Sequence, residues 1–452
     1  MVRGDQPSCI MLEGYCNAVF LQTNMNQIDL KRSLERPICP MCGSARIRPV
    51  DIEDGKSLMF DCSRPGCRWI GHAPLPVIRK KLIYLDTSTV SHIANALGRG
   101  DGSSPWIDLY KTLREATAAQ VISCVVSSIV EDEIELSSYS AEKLLRIAKE
   151  LKISDLKTRL EVLNAQVLRT LDAFLTGATP TLDTRPPSED AFWQSPHRWL
   201  PVIRWSVNSR TPSYIVNSRR IDKSTTSAQI KQVYEEYSRY GDDFEAIKTS
   251  ELRGFGKGLL SRGLRDLCIR GGIEAIPAGA NPVEYSLPST FDLVVLHLQQ
   301  KLEIPYRDAF FRARQFLLSD HVALLPIPDI GSKLSAALAM TRRGPKPRPP
   351  KDSDLYDIDH LETYVPYVDI FIADRFFADL CNQKHLRIGK PYKTQIRKLG
   401  EGDMPKFIKC IKELTEQTPH ARLAQKINDA IEKGGYYQEA TNRIKQSLND
   451  KN

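Results

Sequence analysis

Leu82-Ile83-Tyr84-Leu85-Asp86 is a run of four apolar residues that ends on a carboxylate. Such a run, with no polar alternation, is expected in a strand covered on both faces, and an acid at its end is expected at the rim of a sheet. Two later stretches have the same look. Residues 120–127 (QVISCVVS) are rich in β-branched residues, and residues 368–373 (VDIFIA) run straight into Asp374. Residues 105–118 and 353–364 read as helices, and another helix is expected from about Ser128. This alternation predicts an α/β core of parallel strands flanked by helices.

In a parallel sheet the carboxyl ends of the strands face one rim, where ligands bind. Asp86 and Asp374 end apolar strands, and Glu133 lies a helical turn or more beyond the third. Acids gathered on one rim repel one another unless a divalent cation neutralises them. Hard Mg²⁺ or Mn²⁺ suits oxygen ligands. Such an ion can activate water and stabilise charge on a phosphodiester. The bland alternative is that these acids are helix N-caps and solvated side chains.

The motifs resemble those of PIN domain nucleases. Leu85-Asp86-Thr87-Ser88 is similar to the family's opening motif, although serine stands at 88 where asparagine is common. Residues 126–133 (VSSIVEDE) resemble the second motif, with Glu133 preferred over Glu131. Residues 353–360 (SDLYDIDH) and 367–374 (YVDIFIAD) resemble the third and fourth, with Ala373 where a threonine or serine often precedes the last acid. The resemblance implies a Mg²⁺- or Mn²⁺-dependent endonuclease, more often acting on RNA than DNA. It carries over Asp86, Glu133, Asp357 and Asp374 as catalytic metal ligands. Asp354 shares a helix face with Asp357 and could also reach the metal, while Asp359 is a rival. Asp369 is expected to be a structural hydrogen-bonder.

The chain has 452 residues, 41% of them hydrophobic, and a formal net charge of +8. That length allows several domains, and the basic excess permits a polyanionic partner. Its expected organisation is a leader (1–35), a zinc ribbon (36–75), a PIN-like domain in two parts (80–140 and 341–400), a mainly helical insertion (141–340) and a C-terminal helical segment (401–452). No stretch reaches the ~18–20 apolar residues of a membrane span, and the first residues make a poor signal peptide. A cytoplasmic location is expected, with most cysteines reduced. Cys124 and Cys268 are expected to be small core residues.

Cys39-Pro40-Met41-Cys42 is a CxxC knuckle, and Cys62 and Cys67 close a second turn. Two cysteines in one tight turn supply two corners of a zinc tetrahedron at little entropic cost. The four ligands saturate the metal, so this Zn²⁺ site is structural. His72 is a less favoured ligand. Arg46, Arg48, Arg64, Arg68 and Trp69 could contact nucleic acid, or be plain solvated surface.

Within the insertion, His197, Arg198, Trp199, Arg204, Trp205, Arg210, Tyr214, Arg219 and Arg220 interleave cations with rings. This suits single-stranded RNA, but buried tryptophans among solvated arginines are the favoured reading. Gly254, Gly256 and Gly258 are expected to break a helix. Arg342, Arg343, Lys346, Arg348 and Lys351 form a proline-rich basic loop before the third acid, and they could steer nucleic acid towards the rim. A protein partner or homo-oligomer is also allowed. The sequence thus points to a nuclease. The alternatives are a non-catalytic nucleic-acid-binding or regulatory protein with the same fold, or a toxin or defence effector that needs activation.

Overall fold

The computed structural model describes residues 28–35, 37–99, 103–127, 130, 134, 141–151, 154–200, 237, 243–269, 288–341, 348, 351, 353–400 and 402–434. The chain divides into two compact units, residues 1–78 with 198–204 and 422–452, and residues 79–197 with 205–421. Among the described residues no helix is long and apolar enough to cross a membrane.

The first unit holds helix α1 (Leu30–Glu35) and strands β1 (Ile47–Glu53), β2 (Ser57–Cys62) and β3 (Ile70–Pro74). The strands form an antiparallel sheet in the order β1-β2-β3. Asp54 and Gly55, with φ of 49° and 65°, make the turn between β1 and β2. Two successive positive φ values match the tight hairpin turns that suit twisted strands. Leu58, Phe60, Trp69 and Ala73 fill the core. Trp199, Ala424, Ile427 and Ile431 complete it, so residues far along the chain enlarge a core that the cysteine region alone would leave small. The indole of Trp199 donates to the Pro76 carbonyl at 2.7 Å. Leu30 and Leu34 of α1, at the end of the expected leader, pack against this core.

The second unit begins with β4 (Lys81–Leu85), α2 (Thr87–Arg99), α3 (Pro105–Ala118), β5 (Ile122–Val126), α4 (Ala141–Leu151) and β6 (Ser154–Asp155). A helical block follows: α5 (Arg159–Leu175), α6 (Phe244–Ile269), α7 (Thr290–Leu302), α8 (Tyr306–Leu317), α9 (Asp320–Ala323) and α10 (Pro326–Thr341). The chain returns to the sheet through α11 (Asp354–Tyr364), β7 (Ile370–Ile372), α12 (Arg375–Cys381), β8 (Gln395–Arg397) and α13 (Met404–Gln417).

All five strands run parallel, in the order β6-β5-β4-β7-β8. Ile83, Tyr84, Leu85, Val125, Val126, Phe371 and Ile372 are buried, as expected for a sheet covered on both faces. From β4 the chain winds outwards through β5 to β6, then crosses back to place β7 on the other side of β4. The order therefore reverses between β4 and β7, and a crevice opens at the carboxyl ends of strands at such a point. The carboxylate of Asp369 accepts from the Leu82 amide at 2.8 Å and from Lys81 Nζ at 3.1 Å, which ties β7 to the start of β4.

The mainly helical insertion expected from residue 141 opens with one helix, after which β6 extends the sheet before the helical block begins. Two residues are too few to show a strand period. One expectation is overturned. The three glycines do not break α6, which runs unbroken for 26 residues. Of the three, only Gly256 lies on a packed side of the helix. A Cβ on Gly256 would lie 1.9 Å from the Leu317 carbonyl oxygen, whereas Gly254 and Gly258 face open space. Gly258→Ala is therefore expected to stabilise the protein by about 0.5–1 kcal/mol, because it only removes unfolded-chain entropy. Gly256→Ala is expected to destabilise it by about 1–3 kcal/mol through overpacking. Urea denaturation of the two variants would check the opposite signs.

Candidate functional site

Asp86 follows β4 and sits at the start of α2. Its Oδ1 accepts from the Thr89 amide at 2.9 Å and its Oδ2 from the Ser88 hydroxyl at 2.8 Å. These bonds make it the N-cap of α2 and fix its rotamer. Burial pushes its carboxyl pKa up, against the opposing pull of the bonds from Thr89 and Ser88 and of the nearby His360. A carboxylate has about four lone-pair sites, so capacity remains beyond these bonds.

Asp374 follows β7 one residue further on, after Ala373. Its Oδ1 accepts from the Phe377 amide at 2.7 Å and caps α12. Leu85 and Ile372 are register partners, so the two aspartates emerge from neighbouring strand ends on either side of the reversal point. They are caps and rim acids at once.

The third acidic motif lies on α11, and its aspartates have different partners. Asp354 is buried and accepts from Arg348 Nη1 and Nη2, both at 2.7 Å, and from the Lys351 amide at 2.8 Å. Asp359 pairs with Arg159 at 3.1 Å. Asp357 is half-buried between them in sequence. Arg348 is pinned further, with its guanidinium 3.7 Å above the Phe376 ring. The hydrogen bonds to Asp354, then the fields of Asp354, Asp374 and Asp357, raise its pKa against the opposing effect of burial. Arg348 is thus a fixed cation among the acids rather than a mobile loop residue. Lys351 is exposed. Arg342, Arg343, Lys346, Glu131 and Glu133 lie outside the described residues.

Beneath the rim is a buried polar contact that the motif reading did not assign. The Tyr84 hydroxyl bonds to Ser127 Oγ at 2.7 Å and to His360 Nδ1. His360 comes three residues after Asp357, so a shared helix face was available as a signal.

A cleft of about 530 Å³ opens at the reversal point. Ser88, Thr89, Ala373, Asp374 and Arg375 line it from the two strand ends, His92 and Trp106 from α2 and α3, and Lys398 and Asp403 from beyond β8. Asp86 and Asp357 are not among its lining residues. Among the described residues, no three acids bring their oxygens within 4.8 Å of one another, as the cysteines do with their sulfurs.

That cysteine group is Cys39, Cys42, Cys62 and Cys67, and it could hold a structural metal such as zinc. Sγ of Cys39 lies 3.8 Å from that of Cys67, and Sγ of Cys42 lies 3.7 Å from that of Cys62. Zinc–sulfur bonds of about 2.3 Å in a tetrahedron put sulfurs about 3.8 Å apart, so the spacing fits the ion and is far too long for a disulfide. The hydrogen bond from the Ser44 hydroxyl is the main reason the Cys42 thiol pKa is drawn down to about 6. His72 is not in the group. It sits on β3 with Nδ1 2.9 Å from a Glu53 oxygen.

Other candidates resolve into structure. Trp69 and Trp199 are core, so neither offers a stacking face. Arg48 bonds to Asp61 at 3.0 Å and Arg64 to the Cys42 carbonyl at 3.3 Å. His197 Nδ1 accepts from the Lys80 amide at 3.2 Å. Arg46, Arg68 and Arg198 are intermediate or exposed, while Arg204, Trp205, Arg210, Tyr214, Arg219 and Arg220 lie outside the described residues. Cys124 is buried as expected, but Cys268 is exposed, on the solvent side of α6.

Comparison with models of known families, with characterised proteins and with solved structures gave no match.

Two outcomes follow from this geometry. Arg348→Ala leaves the buried Asp354 carboxylate without its main partner and is expected to cost about 3 kcal/mol, read by chemical denaturation. A stability equal to wild type would show that the pair is not formed. Cys39→Ser should lose bound zinc, measured by metal analysis of the purified protein, and should expose the first unit to proteolysis.

Proposed function

We propose that the second unit is a metal-dependent phosphodiesterase that cleaves RNA, of the PIN nuclease type that its motifs resemble. Asp86, Asp357 and Asp374, joined by Glu133, would hold Mg²⁺ or Mn²⁺. The observation that carries this reading is the position of Asp86 and Asp374. They stand at the ends of two adjacent parallel strands, at the one point where the strand order reverses.

The donor set fits a hard cation. Asp86 and Asp374 offer oxygens with lone pairs left over, and the desolvated Asp86 would be relieved by a nearby positive charge. Asp354 fits less well than the sequence reading allowed, because Arg348 and the Lys351 amide already take its oxygens. A divalent ion bound at the rim would neutralise phosphate charge and lower the pKa of an attacking water. The protein's part is to hold the carboxylates still. Ser88 and Thr89 do this for Asp86, and the start of α12 does it for Asp374. The cysteine group would bind zinc as a structural ion, because four sulfur ligands leave no open position.

Arg348 favours a second reading. A guanidinium fixed beside Asp354, in the field of Asp357 and Asp374, can itself balance the acids. The unit would then bind nucleic acid without cutting it.

Cleavage of single-stranded RNA by the purified chain in Mn²⁺ separates the two. The nuclease reading expects cleavage that stops on chelation and falls by about a hundredfold or more in Asp86→Asn, since even supporting groups around a metal cost up to that much. Equal cleavage by wild type and Asp86→Asn would reject it, as would binding of RNA with no cleavage at all.

A further inference from the structure

The cleft at the reversal point contains more than the rim acids. His92 on α2 and Trp106 on α3 lie with ring centroids 4.6 Å apart and planes at 15°. This is a stacked pair, and both residues line the cleft. His92 is exposed and Trp106 half-buried, so the imidazole is the outer ring. Such a pair is not part of the core, where aromatic side chains bury both faces. It presents a flat surface beside the strand ends.

Two cations line the same cleft. The Arg375 side chain is 87% exposed, and Lys398 Nζ lies 2.6 Å from Asp379. Arg375 is only loosely tied to that aspartate, at 3.9 Å. Asp374 and Asp403 also line the cleft and would repel an anion. A bound phosphate must therefore lie on the side of Arg375 and Lys398, or share a cation with Asp374. A flat ring surface, one loosely held cation with a second already paired to Asp379, and a volume in the range of small-ligand sites together describe a nucleotide.

We propose that this cleft is the base-binding subsite for a single-stranded nucleic acid. One base extends the His92–Trp106 stack, and Arg375 and Lys398 take the adjoining phosphates. The subsite selects an unpaired nucleotide, because a base held in a duplex cannot offer its face to His92. This rests on the reading of the second unit as one that acts on nucleic acid, but not on its being a nuclease.

The test uses the full chain carrying Asp86→Asn, so that strands stay intact, with millimolar Ca²⁺. Binding of a fluorescein-labelled oligouridine octamer is followed by anisotropy, beside the same backbone with abasic positions. The base-containing strand is expected to bind about tenfold more tightly than the abasic one. His92→Ala, at an exposed position, should remove that preference, and Trp106→Phe should keep most of it. Arg375→Ala and Lys398→Ala should weaken both strands alike and flatten the dependence of affinity on salt by about 0.7 unit each. Equal affinity for the two strands overturns the proposal. So does a base preference that survives His92→Ala, or a free nucleoside monophosphate that binds as tightly as the octamer. If wild type fails to cleave but His92 still controls base preference, the nuclease reading falls and the subsite stands.

Discussion

Everything at the rim depends on the pairing of β4 with β7. These two strands come from opposite ends of the second unit's chain, yet Tyr84 pairs with Phe371 and Leu85 with Ile372. Asp369 anchors the start of that pairing through the Leu82 amide, and Tyr84 stacks on Phe371 at a centroid distance of 4.4 Å. The contact closes a long loop that contains the helical block, which costs loop entropy. What it gains is a register in which Asp86 and Asp374 both follow the ends of adjacent strands. Slipping β7 by one residue would turn its apolar side chains to the opposite faces of the sheet.

Strands β4, β5 and β7 and the helices around them were legible because a buried parallel strand needs an unbroken apolar run, and these runs are present. Asp369 was legible as structural because it precedes its strand instead of ending it. The edge strands were not, because Ser154–Asp155 and Gln395–Arg397 are short and carry no apolar run. The glycines of α6 misled because a glycine lowers helix propensity whether or not a neighbouring backbone needs the space. At the site, Asp86 and Asp374 could be read as rim acids from their place after apolar runs. The choice among Asp354, Asp357 and Asp359 could not be made from spacing. The partners of Asp354 and Asp359 could not be read from spacing either, because Arg348 and Arg159 reach them through folding. The His92–Trp106 pair was hidden for the same reason, since its two rings come from different helices.

Arg348 changes the electrostatic picture of the rim. A basic loop in the sequence suggests a mobile attractor for phosphate, but a guanidinium held by two bonds and a ring is a fixed part of the site. It lowers the negative potential that Asp354, Asp357 and Asp374 would otherwise create. A divalent ion at Asp86 and Asp374 therefore has to bind against a resident cation. The affinity for that ion measures how far Arg348 has replaced it.

Whether the rim takes a divalent cation is the central question, and anomalous diffraction from crystals soaked in Mn²⁺ answers it most directly. The expected result is a manganese peak between the Asp86 and Asp374 carboxylates, at about the 2 Å distance of a hard cation from its oxygen ligands. A map with no peak there, with Arg348 still bonded to Asp354, would contradict the account and leave the second unit as a binding protein.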